Sequence, residues 1–203
     1  MISLQYIFLF MIVFFALIGY LRGWQREVIA LSGLIASIAA LIQFGETLIR
    51  LVTALTGATQ AINNPNALRQ QEIWIQVIFH VTIAFFSYQV VARLAEQATS
   101  GRLGERLRGD LEKRILGMFI GAINGYLLIG SLWGFVEYQI TANGYVKLAP
   151  EIGYPFDPNV IVRPVADASA AMITDFLPMG IFNPTVWLLL FFVSFFIVII
   201  ALI

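Results

Sequence analysis

The sequence contains no cysteine, and its 203 residues include only one histidine. Without cysteine the chain cannot form a disulfide, use a thiol nucleophile or bind zinc or iron–sulfur clusters through thiolates. A single histidine also excludes metal sites built on histidine pairs, such as H-E-x-x-H. The composition therefore removes the best-known metal and thiol enzymes from consideration.

Charge is also scarce. Only 12% of the residues are charged, against roughly a quarter in a typical soluble domain. The 12 basic residues are balanced by 12 acidic ones, so the basic surplus that marks nucleic-acid binding is absent and we expect no nucleic-acid partner. Hydrophobic residues make up 60% of the chain, and the mean hydropathy is +0.86. One core cannot hide so much apolar surface, which indicates an integral membrane protein.

Hydrophobic runs predict five membrane spans, at residues 3–21, 28–44, 73–92, 115–136 and 185–203. Backbone polar groups in lipid must bond to one another, and the runs lack the alternation of barrel strands, so the spans are predicted to be helices. The predicted fold class is an all-α integral membrane protein. It comprises one membrane domain, 1–203, with a bundle of about five transmembrane helices and interfacial amphipathic helices.

Residues 102–114 are the first predicted interfacial helix. Leu103, Leu107 and Leu111 recur every four residues among arginines and acidic residues, a pattern that suits a helix lying on the membrane surface. Two interpretations remain open for this segment. It is either a surface for lipid headgroups or a partner, or a solvated stretch that only sets the topology.

The outer loop, residues 138–184, contains all seven prolines but one. Turn signals fill its first half. Its second half predicts a helix that begins near Pro164 and lies on the outer membrane interface. The apolar stripe of this predicted helix consists of Val165, Ala168, Met172 and Phe176.

Two polar residues are predicted near the middle of the membrane, His80 in the third span and Asn124 in the fourth. Burying either without a hydrogen bond would cost a few kcal/mol, so each needs a partner. Two interpretations are open. The residues line a path in which His80 carries protons, or they hold helices together, for example by bonding to each other.

Small residues on two spans predict close helix packing. Gly117, Gly121 and Gly125 form a ridge on the fourth span, and Gly33 and Ser37 offer a similar side on the second. Such ridges let two helix backbones approach. We expect the second and fourth spans to pack together within one chain, and the alternative is a seam with a second copy or a partner subunit.

The sequence offers no set of residues for catalysis. It has neither a G-x-S-x-G motif nor a phosphate-binding G-K-[ST] motif, and no acidic residue is predicted deep in a span. We therefore expect no enzymatic activity, and we predict no catalytic, metal-binding or cofactor-binding residues.

Two stretches, YLRGWQREVIA at 20–30 and KRILGMFIGAINGYLLI at 113–129, resemble the colicin V production protein family of bacterial inner membranes. The residues that carry the resemblance are Arg22, Gly23, Arg26, Glu27, Arg114, Gly117, Gly121 and Gly125. It covers about residues 1–178. It implies a multi-spanning, non-enzymatic protein linked to the production or export of a peptide toxin.

The chain departs from the family pattern at three places. Lys113 stands where an acidic residue is usual, Asn124 stands where a basic one is common, and the span 185–203 extends beyond the usual four. Relative to that pattern, Asn124 removes an intramembrane charge from this chain.

Physical chemistry explains the first motif without a ligand. Gly23 allows a tight turn between the first two spans, and Arg22 and Arg26 anchor this turn among lipid headgroups. Glu27 suits the N-terminus of a helix and can pair with an arginine.

These observations predict an accessory or scaffold protein in a membrane assembly, or in toxin production or export. Its partners would be the lipid bilayer and other membrane subunits or a second copy, without a cofactor. The alternative is a small channel or transporter with His80 and Asn124 near its pathway.

The distribution of basic residues predicts the orientation in the inner membrane. Eight lysines and arginines lie in the loops after the first and third spans, and four lie in the opposite loops. Since basic loops stay in the cytoplasm, the N-terminus is predicted outside and the C-terminus inside. In intact cells a membrane-impermeant thiol reagent should label Gln60→Cys and leave Glu105→Cys unlabelled. The opposite labelling pattern would reverse the topology.

Overall fold

The computed structural model describes residues 4–56, 64–91, 111–164 and 167–202. The helices are α1 (Leu4–Arg22), α2 (Trp24–Leu55), α3 (Pro65–Phe86), α4 (Leu111–Glu137), α5 (Ala168–Asp175), α6 (Pro178–Ile181) and α7 (Pro184–Leu202). A π-helical turn, Ser87–Val91, continues α3. Strands β1 (Tyr138–Thr141) and β2 (Gly144–Lys147) form an antiparallel hairpin between α4 and α5.

The five long helices correspond to the five predicted spans. Among the described residues, α1, α2 and α4 are long and apolar enough to cross a membrane, and Pro184–Ile200 of α7 is a shorter apolar helix. The all-α membrane fold is thus confirmed. Helix α3 is long but does not reach the same apolarity, because polar residues line one of its sides.

The long helices alternate in direction. Along the contact of α1 and α4, Gly19 faces Gly117 at one end and Phe8 packs on Trp133 at the other, so these helices are antiparallel. Helix α2 runs antiparallel to α3, and α7 packs along α2. We name the two ends of the bundle the turn end, where α1 meets α2, and the hairpin end, where β1 and β2 lie.

Gly23 makes the turn between α1 and α2, as predicted. Its φ of 82° lies in the left-handed region that side-chain-bearing residues rarely adopt. Its N–H donates to the carbonyl of Gly19, and its own carbonyl accepts from Glu27, so the backbone stays bonded through the turn. One residue therefore suffices to separate the two helices.

The glycine ridge of α4 packs within the chain, but its partner is α1 rather than the predicted α2. A Cβ on Gly121 would lie 2.9 Å from the Cα of Gly19, and a Cβ on Gly125 would lie 2.7 Å from the Cβ of Phe15. The side of α2 that carries Gly33 and Ser37 is turned to α3 and the π-helical turn instead. Helix α1 supplies its own small residue, Gly19, and this permits the close approach.

The hairpin was not among the predicted elements, since the first half of the outer loop was interpreted as turns alone. The signal for it is Asn143 followed by Gly144, between two short runs with aromatic and β-branched residues. Gly144 has a φ of 107°. An all-helical interpretation overlooked this pair because each strand has only 4 residues.

Helix α5 begins later than predicted, at Ala168 rather than near Pro164. The side chain of Asp167 caps it by accepting from the backbone N–H groups of Ser169 and Ala170. Of the predicted stripe, Met172 and Phe176 are more than half exposed. Val165, like residues 102–110 of the other predicted interfacial helix, lies outside the described residues.

The contact of α1 with the glycine ridge generates a stability prediction. Gly121→Ala should lower the free energy of unfolding by about 1–3 kcal/mol, because the new methyl group meets the backbone of α1. Gly153→Ala is the matched control, since a Cβ there meets nothing within 4 Å. Unfolding of both variants in the same detergent micelle checks this, and equal stabilities would contradict the close packing.

Candidate functional site

Residues of the two sequence motifs meet in one buried polar cluster at the turn end. We call it the motif cluster, and it consists of Arg22, Glu27, Tyr88 and Asn124. The side chain of Glu27 is fully buried, and Nη1 of Arg22 lies 3.0 Å from its Oε1. The predicted pairing of Glu27 with an arginine is therefore confirmed. Its complete burial was not predicted, because the start of a helix after a basic turn is usually solvated.

Asn124 makes the second contact with Glu27. Its Nδ2 donates to the carboxylate Oε2 at 2.8 Å and to the backbone carbonyl of the same residue at 2.9 Å. The group at position 124 is a neutral amide. It satisfies the carboxylate through hydrogen bonds without adding a second positive charge.

Tyr88 closes the motif cluster from the π-helical turn. Its hydroxyl donates to Oε2 of Glu27 at 3.4 Å, and its carbonyl accepts from Nη2 of Arg22 at 3.0 Å. The guanidinium also lies 4.7 Å from the centre of the tyrosine ring, a cation–π distance. Arg22 thus joins the carboxylate and the π-helical turn with one side chain.

The motif cluster connects four elements: α1, α2, the π-helical turn and α4. Each carboxylate oxygen of Glu27 is already engaged, which leaves the group poorly placed to act as a base or nucleophile. The arrangement is chemically suited to holding helices together. Among the described residues, no group of three histidine, aspartate or glutamate side chains is placed to hold a metal ion.

The remaining motif residues lie around the same end. Gly117 approaches the turn at Gly23, and the guanidinium of Arg114 lies 5.9 Å from the ring of Tyr20. Arg26 is half-buried in the first turn of α2. Both motifs therefore build the junction of α1, α2 and α4.

His80 and Asn124 have separate partners, so the predicted option of a bond between them is wrong. Nδ1 of His80 lies 2.8 Å from Oγ of Ser37, and its ring meets Phe135 edge-on. Asn124 bonds to Glu27, at the start of α2. The two residues are kept apart because they lie at different levels of the bundle.

Helix α3 carries a row of polar side chains on its inward side. Glu72, Gln76 and His80 follow at intervals of one turn, and both Gln76 and His80 are fully buried. The hydroxyl of Tyr145 donates to Oε1 of Gln76 at 2.7 Å. Ala84 interrupts the row before Tyr88 is reached.

A second buried ion pair lies at the hairpin end, and we call it the Arg163 clasp. The guanidinium bonds through Nε and Nη2 to the carboxylate of Glu137, which ends α4. Its other donors reach three backbone carbonyls, of Leu148 at 2.9 Å, Ala149 at 2.6 Å and Ile152 at 2.7 Å. All five N–H groups of Arg163 are used, so this side chain fastens the outer loop to α4.

Tyr154 completes the clasp. Its hydroxyl donates to Oε2 of Glu137 at 2.8 Å and accepts from Nε1 of Trp133 at 3.0 Å. Burial, together with the charge of Glu137, raises the pKa of Tyr154, so its hydroxyl remains a donor. Burial by itself would lower the pKa of Arg163, but the hydrogen bond and charge of Glu137 raise it overall. No local sequence pattern indicates this contact, because the residues are far apart in the chain.

The fold and the motif cluster define a helical membrane protein whose sequence motifs join its helices. A family model described as Colicin V production protein matches residues 4–148. The chain belongs to this family, which supports a role in colicin V production. No curated protein and no solved structure matches the chain. The match ends after β2, so Glu137 lies inside it, whereas Arg163 and α5–α7 lie beyond it.

The motif cluster predicts unequal effects for two arginine substitutions. Arg22→Ala should reduce stability by on the order of 3 kcal/mol, because it leaves the buried carboxylate of Glu27 without its counter-ion. Arg50→Ala, which breaks the exposed pair with Glu46, should cost less than about 1 kcal/mol. Adding Glu27→Gln to Arg22→Ala should recover part of the loss. Unfolding in one detergent tests all three, and similar losses from the two single variants would rule out the assigned role.

Proposed function

We propose that the protein is a non-enzymatic accessory or scaffold subunit of a membrane assembly that serves colicin V production or export. The observation that carries this proposal is the motif cluster. Its charged and polar groups are engaged with one another across four elements, as a structural role requires. A catalytic role would instead need a group directed toward a substrate.

The apolar outer surface supports docking in the membrane. The glycine ridge of α4 is covered by α1, so it is not the docking surface that the sequence also allowed. Helix α7 packs on α2 and leaves large side chains such as Leu189, Phe192 and Phe196 exposed. We therefore assign docking to α7 or to the outer loop.

We also propose the bacterial inner membrane as the location, with the N-terminus outside and the C-terminus in the cytoplasm. The alternating directions of the five long helices support this proposal, because an odd number of crossings requires termini on opposite sides. The basic turn at Arg22 and Arg26 supports the cytoplasmic location of the turn end.

A small channel or transporter is the second candidate, and the polar row on α3 favours it. Glu72, Gln76 and His80 line one inward side over two helical turns. Two features weigh against it. The row is interrupted at Ala84, and Gln76 and His80 are bonded to neighbouring side chains.

Purification of the tagged protein in a mild detergent, with the mass and the co-purifying proteins determined together, tests the proposed function. We expect a stoichiometric foreign membrane protein. Phe192→Ala combined with Phe196→Ala on α7 should release it, because these side chains supply exposed contact area. Phe14→Ala, on the exposed side of α1, is the control and should retain it.

A homo-oligomer without a foreign protein would contradict the scaffold proposal. Liposome flux then distinguishes the second candidate. A channel is favoured if a folded His80→Gln variant loses flux and Asn124→Ala retains it. If the liposomes show no flux, the channel candidate is contradicted as well.

A further inference from the structure

An apolar groove of about 180 Å³ lies at the hairpin end, between α1, α4 and the outer loop. We call it the acyl groove. Ile7 and Phe8 line it from α1, Leu132 and Trp133 from α4, and Tyr154 and Ile161 from the loop. Three parts of the chain therefore line one half-open apolar space.

The few polar atoms in the walls are already bonded. Nε1 of Trp133 donates to the hydroxyl of Tyr154, which in turn donates to Glu137. These residues therefore present their rings to the groove. The walls offer dispersion contacts and no free hydrogen-bonding group, so a fitting occupant is a hydrocarbon.

We propose that the acyl groove binds one acyl chain of a membrane phospholipid. Helices α1 and α4, which supply most of the lining residues, are both long and apolar enough to span a membrane, so the groove lies at the end of two spans, within reach of membrane lipid. In other proteins a cavity of roughly 150 Å³ with aliphatic and aromatic walls admits benzene. The acyl groove is somewhat larger, and it holds several methylene groups but not a whole lipid.

The Arg163 clasp fixes the loop that forms one wall of the groove. Arg163 fastens the loop to Glu137, and the same loop carries Tyr154 and Ile161 over the groove. A chain in the groove meets walls on three sides, whereas a chain against a convex helix surface meets one. The additional dispersion contacts favour binding in the groove over the other lipid-facing surfaces of the protein. This inference does not depend on the scaffold proposal.

Photo-cross-linking in lipid bilayers tests the acyl groove. The full chain is reconstituted with a phosphatidylcholine that carries a diazirine in its acyl chain, and labelled residues are mapped by mass spectrometry. If exposure alone decided, labelling would be higher on α7 than in the groove. Leu189 and Phe196 on α7 are both 61% exposed, whereas Ile7 in the groove is 43% exposed. The proposal requires the reverse, with roughly threefold higher labelling at Ile7 and Leu132. Labelling that follows exposure would overturn it.

A groove-filling variant makes the test specific. Ile129→Phe places a larger side chain in the groove wall and should lower labelling at Ile7 while labelling on α7 stays constant. Unchanged labelling at Ile7 in the folded variant would refute the site. If the variant does not fold, the labelling of the groove relative to α7 in the unaltered protein still tests the proposal. A free fatty-acid probe that labels the groove when the phospholipid probe does not would also overturn the proposal.

Discussion

The burial of the Glu27 carboxylate is the constraint on which the turn end depends. A charged group without solvent must be paired and hydrogen-bonded, and here the end of α1, the π-helical turn and α4 each supply a donor. These donors meet only if the helices keep one arrangement. The turn at Gly23 and the contact of α1 with α4 bring them to the carboxylate. An ion pair of little net stability can in this way specify how the helices are arranged.

Much of the fold follows from the sequence because hydrophobic length and small residues act locally. The five long helices, the turn at Gly23 and the pairing of Glu27 could all be predicted. The partner of the glycine ridge could not, since both α1 and α2 carry small residues and only the three-dimensional arrangement chooses between them. The same holds for His80 and Asn124. The sequence places each of them within a span, but their different levels in the bundle depend on how far the helices are shifted along one another.

The sequence predicted the central pair of the candidate site, but not the residues that complete it. Arg22 and Glu27 stand five positions apart, so their pairing is readable, whereas Tyr88 and Asn124 reach them from distant parts of the chain. No sequence pattern predicted the Arg163 clasp. A turn-rich loop can place an arginine almost anywhere, and nothing local indicates which carboxylate it meets.

The Arg163 clasp joins the part of the chain that matches the family to the part that follows it. Glu137 lies within the segment shared with the family, and its counter-ion comes from the part beyond it. A protein shortened after β2 would retain a carboxylate in an apolar setting with no positive partner from the clasp. The last quarter of this chain, residues 149–203, is therefore not dispensable for the helices of the matched segment, because its removal would take Arg163 away from the buried carboxylate of Glu137.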